Sequence, residues 1–272
     1  MPSEAAIIQR RLPPACRNSA FLRAICAAAL CLSLFAARVR AQEEPMHHDH
    51  AGHDGMSMPM DQPSDPAEQA RVQAKILADK KESEFNHHLA GFLVMVAGVF
   101  ILFESKLVRR WPLVKYVWPS CFLLAGLFVL IWSDTELWPF GHRQWLEALR
   151  NNPEVLQHKV FAALLLVLGA IEWQRARGVL KAAWSAWVFP VVAIVGSVIL
   201  IFHHHQGGMV GEHHMETMAR IQSEHMSYTV SGLMIGLAKG LSELKVPGRQ
   251  FLSKLWPLFM VVLGALLMFY RE

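Results

Sequence analysis

Cysteine is scarce in this chain, and what there is sits badly for cross-linking. Of four cysteines in 272 residues, Cys16, Cys26 and Cys31 fall in an N-terminal segment patterned like a secretory leader, which leaves only Cys121, inside an apolar block. One remaining thiol forms no intrachain disulfide and gives thiolate metal chemistry no basis. A phosphate-binding glycine loop, a nucleophile elbow and a zinc-protease helix are also missing, so nothing supports an ATP-driven pump or a hydrolase, and no catalytic residues are assigned. Basic excess is lacking too. Lys and Arg total 26 against 22 Asp and Glu, but the leader holds six of the former and one of the latter, so the remaining 20 and 21 nearly cancel. That balance points to no nucleic-acid partner.

Apolar residues, by contrast, are abundant at 53% and come in long runs rather than at helical or strand spacing. The first run, "AICAAALCLSLFAA", follows Arg10, Arg11, Arg17 and Arg23 and ends in "RVRA", with Val39 and Ala41 at the minus-three and minus-one places of a signal-peptidase site. Residues 1–41 are therefore expected to be a cleaved signal peptide. Residues 42–66 have no apolar periodicity and are expected to be a disordered tail, and residues 67–86 an amphipathic helix at the membrane surface, with Val72, Ile76 and Leu77 on one side. Six apolar blocks near 87–104, 113–133, 155–173, 185–203, 227–243 and 255–270 predict an all-α polytopic helix bundle over residues 87–272. "NNPEVLQHK" reads as a helix start, with Asn152 capping, Pro153 at the first helical position and Glu154 in the first turn.

Loop charge predicts the orientation. Eleven basic residues (Lys106, Arg109, Arg110, Lys115, Arg175, Arg177, Lys181, Lys239, Lys245, Arg249 and Lys254) flank one set of connections and four (Arg143, Arg150, Lys159 and Arg220) the other, which puts both termini outside. Trp111, Trp118, Trp132, Trp173, Trp184, Trp187 and Trp256 fall near block ends, where an indole suits the lipid–water boundary. All fourteen histidines then lie on the outer side.

The ligand-bearing residues concentrate in "MHHDHAGHDGMSMPM", residues 46–60. Imidazole suits copper and zinc, whereas thioether favours Cu(I). Met46, His47, His48, His50, His53, Met56, Met58 and Met60 together therefore point to copper, as Cu(I) or Cu(II), with a low-complexity polar tail as the bland reading. A second set, His87, His88, His158, His203, His204, His205 and His225, sits at the outer ends of four predicted spans and suggests a shared ring of imidazoles, although any one of them alone reads as an interfacial polar residue. In "GEHHMETMARIQSEHM" a helical reading puts His214, Met218 and His225 on nearly one face, as a relay or as an ordinary interfacial helix. Gly232, Gly236 and Gly240 recur every fourth residue and mark a close helix contact.

A leader, a His/Met-rich outer segment and a multi-helix membrane domain with outer histidines resemble the bacterial copper-resistance membrane proteins of the copper-resistance protein D type. The resemblance is architectural over 87–272 and compositional over 46–60, and no diagnostic residue string is matched. It implies a protein of the bacterial inner membrane, with the lipid bilayer and a periplasmic copper carrier as partners, that captures copper on the periplasmic side and moves it or passes it on. Two other readings stay open: a membrane b-type cytochrome or metal reductase holding haem b through residues such as His88, His158, His203 and His225, and a non-transporting copper-binding or sensing protein.

Overall fold

The structure, a computed structural model, describes residues 65–137, 139–202, 214–244 and 246–271, with 214–219 described as backbone only. The histidine- and methionine-rich segment, residues 1–41 expected to form a leader, and His203–His205 lie outside the described residues, as do the side chains of His214 and Met218. The fold is all α. Its elements are α1 (Pro66–Leu107), a 3-10 turn (Pro112–Tyr116) leading into α2 (Val117–Trp132), a short α3 (Trp145–Asn151), α4 (Pro153–Ala176), a second 3-10 turn (Ala183–Trp187) leading into α5 (Val188–Ile201), α6 (His214–Glu243) and α7 (Arg249–Met268). Among the described residues the only extended pairing is one isolated bridge, Leu137 to Arg143.

The helix starts follow local chemistry. Asp65 accepts from the Ala67 amide at 2.9 Å and Pro66 opens α1. Asn152 accepts from the Glu154 and Val155 amides at 2.9 and 3.3 Å, with Pro153 behind it, so α4 begins where its sequence predicts. Residues 67–86 differ from expectation: they continue the first span without a break, as one 42-residue helix. Helix formers run through the junction, and no proline or glycine interrupts it before Gly91. At 1.5 Å per residue the part of α1 before His87 is about 30 Å long; it is largely exposed but meets the bundle through Lys75 on Glu136, Glu82 on Thr135 and Phe85 on Phe128.

Five segments are long and apolar enough to cross a membrane: Pro66–Leu107, Pro112–Trp132, Pro153–Ala176, Ala183–Ile201 and Arg249–Met268. The chain is therefore a multi-pass membrane protein. The remaining long helix, α6, is more polar and packs between α5 and α7. Ile221, His225, Tyr228, Thr229 and Ile235 are buried along one side of it, while Met226, Val230, Leu237 and Leu241 are exposed on the other.

The six long helices form a closed ring in the order α1, α2, α4, α5, α6, α7, with α7 returning to α1. The ring is three helical hairpins with one shared register. His87, Gly98 and Pro119 in the first correspond to His158, Gly169 and Pro190 in the second and His225, Gly236 and Pro257 in the third. In each, glycine follows histidine by 11 residues and proline follows it by 32, and an aromatic residue, Trp118, Phe189 or Trp256, precedes the proline. Packing repeats with the register. A Cβ at Gly169 would meet Leu123 at 2.8 Å, one at Gly236 would meet Ile194 at 2.6 Å, and one at Gly98 would meet Val261 at 3.0 Å. Each contact is the residue four after the proline of the preceding hairpin, and the third closes the circle. The ring thus has an approximate threefold axis.

Candidate functional site

A cavity of about 800 Å³ lies along that axis and is lined by all six long helices. Its lining carries the repeat. His87, His158 and His225 sit at one end, followed by Ala90, Phe161 and Tyr228 three residues on, and by Val94, Leu165 and Gly232 seven residues on. Toward the other end, the aromatic residues before the prolines close it: Phe189 packs against Trp256 at 4.9 Å and Trp118 at 6.4 Å between ring centres, with Phe122 at 5.8 Å. Trp118 and Trp256, read from sequence as boundary residues, belong to this plug, and Trp256 is 6% exposed. They stand on the ring's inner side because their hairpins close there, whereas Trp111 and Trp184 in the preceding loop and turn remain exposed. Beyond the plug, Glu172 pairs with Arg175 at 2.8 Å and Lys239 pairs with Glu243 while lying over the Trp256 ring.

At the histidine end, Asp134 is the anchor. It follows the end of α2, is nearly buried, and accepts from Lys159 Nζ at 2.7 Å, His158 Nδ1 at 3.0 Å and Ser133 Oγ at 2.6 Å. Lys159 also donates to the Leu130 carbonyl at 2.9 Å. Burial pushes the Asp134 carboxyl up, but the bond and charge of His158 and the bonds from Lys159 and Ser133 outweigh it and hold the group down at about 2. The short α3 braces this corner through Leu137, Ala148 and Val155, and Lys159 lies over Trp145.

Across the cavity, His87 Nδ1 donates to the Ser83 carbonyl at 2.8 Å and its ring stacks on Tyr270 at 4.0 Å. His225, 2% exposed, has its ring centre 6.3 Å from that of His87 and 6.5 Å from Tyr270. His88 points elsewhere, its Nε2 donating to the Tyr270 carbonyl at 3.0 Å. The structure thus divides the expected imidazole ring: His87, His158 and His225 line the cavity, and His88 serves the C-terminal segment. Among the described residues no three His, Cys, Asp or Glu side chains are gathered closely enough to hold a metal ion.

His158 and His87 share one feature: in both, Nδ1 is taken by an oxygen acceptor, so a ligand in the cavity would be met by Nε2. A carboxylate or carbonyl behind Nδ1 is the arrangement that orients metal-ligating histidines. Asp134, Lys159, Ser83 and Tyr270 escape a reading by hydropathy blocks, since each lies near a block end and hydropathy does not single it out from the residues around it. The repeat was their available signal: it marks His87, His158 and His225 as equivalent, and their neighbours follow.

No family model, curated protein or solved structure matches this chain.

Proposed function

We propose that this chain handles copper at the extracytoplasmic face of the bacterial inner membrane, collecting the ion on the tail at residues 46–60 and receiving it at His87, His158 and His225. One observation carries the reading: the three histidines in equivalent positions of the three hairpins line the same end of one cavity. The helix that leads from the tail, α1, supplies that same mouth through Asp79, Glu82, Ser83 and His87. Nε2 of a neutral imidazole is a borderline ligand suited to copper, and carboxylates at the entrance favour a cation.

Reach supports a division of labour in the tail. Its attachment at Asp65 stands about 33 Å from His87 along α1 at 1.5 Å per residue. An extended chain covers about 3.4 Å per residue, so ligands from Met46 to His53 reach back to His87, whereas Met56, Met58 and Met60 fall short. These three methionines then capture Cu(I) and the distal histidines deliver it. The basic asymmetry between loops favours an outward histidine end, and a periplasmic copper carrier fits as donor or acceptor, as in the copper-resistance protein D type.

Copper stoichiometry on purified full-length protein tests this. Deleting residues 46–60 should remove the tail-bound metal and leave a smaller fraction of copper bound through the axial histidines, which would have to draw together around it, since in this structure they do not form a three-ligand group. Combining that deletion with His87→Ala, His158→Ala and His225→Ala should remove the remainder, and combining it with His88→Ala should not. Retention of the residual copper by the triple variant would sink the axial site.

A further inference from the structure

The cavity is much larger than an ion requires, and its chemistry changes along the axis. At about 800 Å³ it falls in the roughly 300–1,000 Å³ range of small-molecule sites. Below the histidines the wall is apolar and aromatic, with Phe122, Phe161, Phe189 and Tyr228 in it and no lysine or arginine. Five carboxylates line the mouth, Asp79, Glu82, Asp134, Glu136 and Glu154, with two lining cations, Lys75 and Arg143; Asp134 is neutralised by Lys159, so the negative charge offered to a ligand comes chiefly from Asp79 and Glu82. Both lining cations are committed to Glu136, at 3.8 and 3.2 Å. Ser83 Oγ is sealed from solvent with no hydrogen-bond partner and lines the same mouth.

We propose that this chamber binds an amphipathic quaternary cation, an ammonium or phosphonium carrying aromatic or alkyl groups, with its apolar body among the aromatic side chains and its charge toward the carboxylates. Aromatic faces attract such cations through the ring quadrupole, and a quaternary centre has no N–H to satisfy, so an apolar wall costs it little. A hydrated metal ion makes no use of that wall, and an anion would meet the carboxylates. Entry from the bilayer has a place in the fold. The α4–α5 seam is the loosest in the ring, and a Cβ at Gly196 of α5 would meet only the Phe161 ring, at 3.5 Å. This inference stands on the chamber and is independent of copper.

The test uses full-length protein in phosphatidylcholine nanodiscs, with tetraphenylphosphonium as probe, triphenylphosphine oxide as its neutral counterpart, and equilibrium dialysis as the measurement. Saturable binding of about one cation per chain is expected, at least tenfold tighter than the neutral compound, which corresponds to about 1.4 kcal/mol. Gly196→Leu, which fills the chamber from the seam, should weaken the cation at least tenfold. Asp79→Asn combined with Glu82→Gln, at the exposed Asp79 and at Glu82, which accepts from Thr135 at 3.3 Å, removes negative charge at the mouth and should weaken the cation while leaving the neutral compound unchanged. If Gly196→Leu does not elute as the wild type does, the carboxylate pair decides alone. Equal affinity for both compounds, no saturable binding, cation binding unaltered by the variants, or a co-purifying phospholipid that the cation does not displace would each overturn the proposal.

Discussion

Asp134 shows how one residue's surroundings become a measurable property. Its carboxyl sits at about 2 in the folded chain against 3.8 for an unpaired aspartate, so the stabilisation it contributes, about 2 kcal/mol, is complete above pH 3.8 and drains away as pH falls toward 2. Asp134→Asn should remove that acid limb. It should also cost about 3–5 kcal/mol at neutral pH, because the Lys159 ammonium, only 8% exposed, loses its counter-charge. Thermal unfolding in detergent across a pH series measures both. Adding Lys159→Met should recover much of the loss, since an apolar side chain needs no partner there. An Asp134→Asn variant as stable as wild type at neutral pH would show that the pair is solvated.

At the level of helices, the repeat makes a comparative prediction. Gly98, Gly169 and Gly236 hold α1 on α7, α4 on α2 and α6 on α5 at distances where a Cβ would lie 2.8 Å from the Pro257 carbonyl, 2.9 Å from the Leu123 amide and 3.0 Å from the Pro190 carbonyl. Backbone atoms do not give way, so valine at any one of them forces a helix pair apart. The three substitutions should lower thermal stability by similar amounts, on the order of 2 kcal/mol or more. Gly196→Ala meets only the edge of Phe161 and should be neutral or stabilising by up to about 1 kcal/mol. Unequal effects among the three glycine sites would argue against a working threefold register.

For the whole molecule, orientation and tethering are the properties to test. In a Cys121→Ser background, Arg71→Cys on the projecting part of α1 should react with an impermeant thiol reagent in cells whose outer membrane is permeable, and Lys181→Cys in the α4–α5 loop should not. The reverse pattern would invert the protein in the membrane. Under the proposed copper function, a tethered tail would act by raising the local copper supply. Deleting residues 46–60 should therefore alter copper tolerance mainly at low external copper, while replacing His87, His158 and His225 should alter it at every concentration. A deletion phenotype independent of copper concentration would remove the tethering argument.

Much of the architecture was readable before folding. Helical content, the positions of the apolar blocks and the Asn152–Pro153–Glu154 start follow from the sequence, because they depend on backbone hydrogen bonding and on transfer energy summed over neighbouring residues. The continuity of α1 through residues 66–86 was less readable, since a surface helix and an extension of a span share the same propensities. What the tertiary structure alone decided is direction around each helix. His87 and His88 are adjacent in sequence, yet one lines the cavity and the other bonds the Tyr270 carbonyl. Trp111 and Trp118 begin the same hairpin arm, yet one is exposed and the other packs on Phe189 inside the ring. Asp134 acquires Lys159 and His158 only because α2 and α4 run side by side. Hydropathy sets depth in the bilayer, but a side chain's azimuth is set by which neighbours the helix meets when the ring closes, and closure joins α7 to α1 from opposite ends of the sequence.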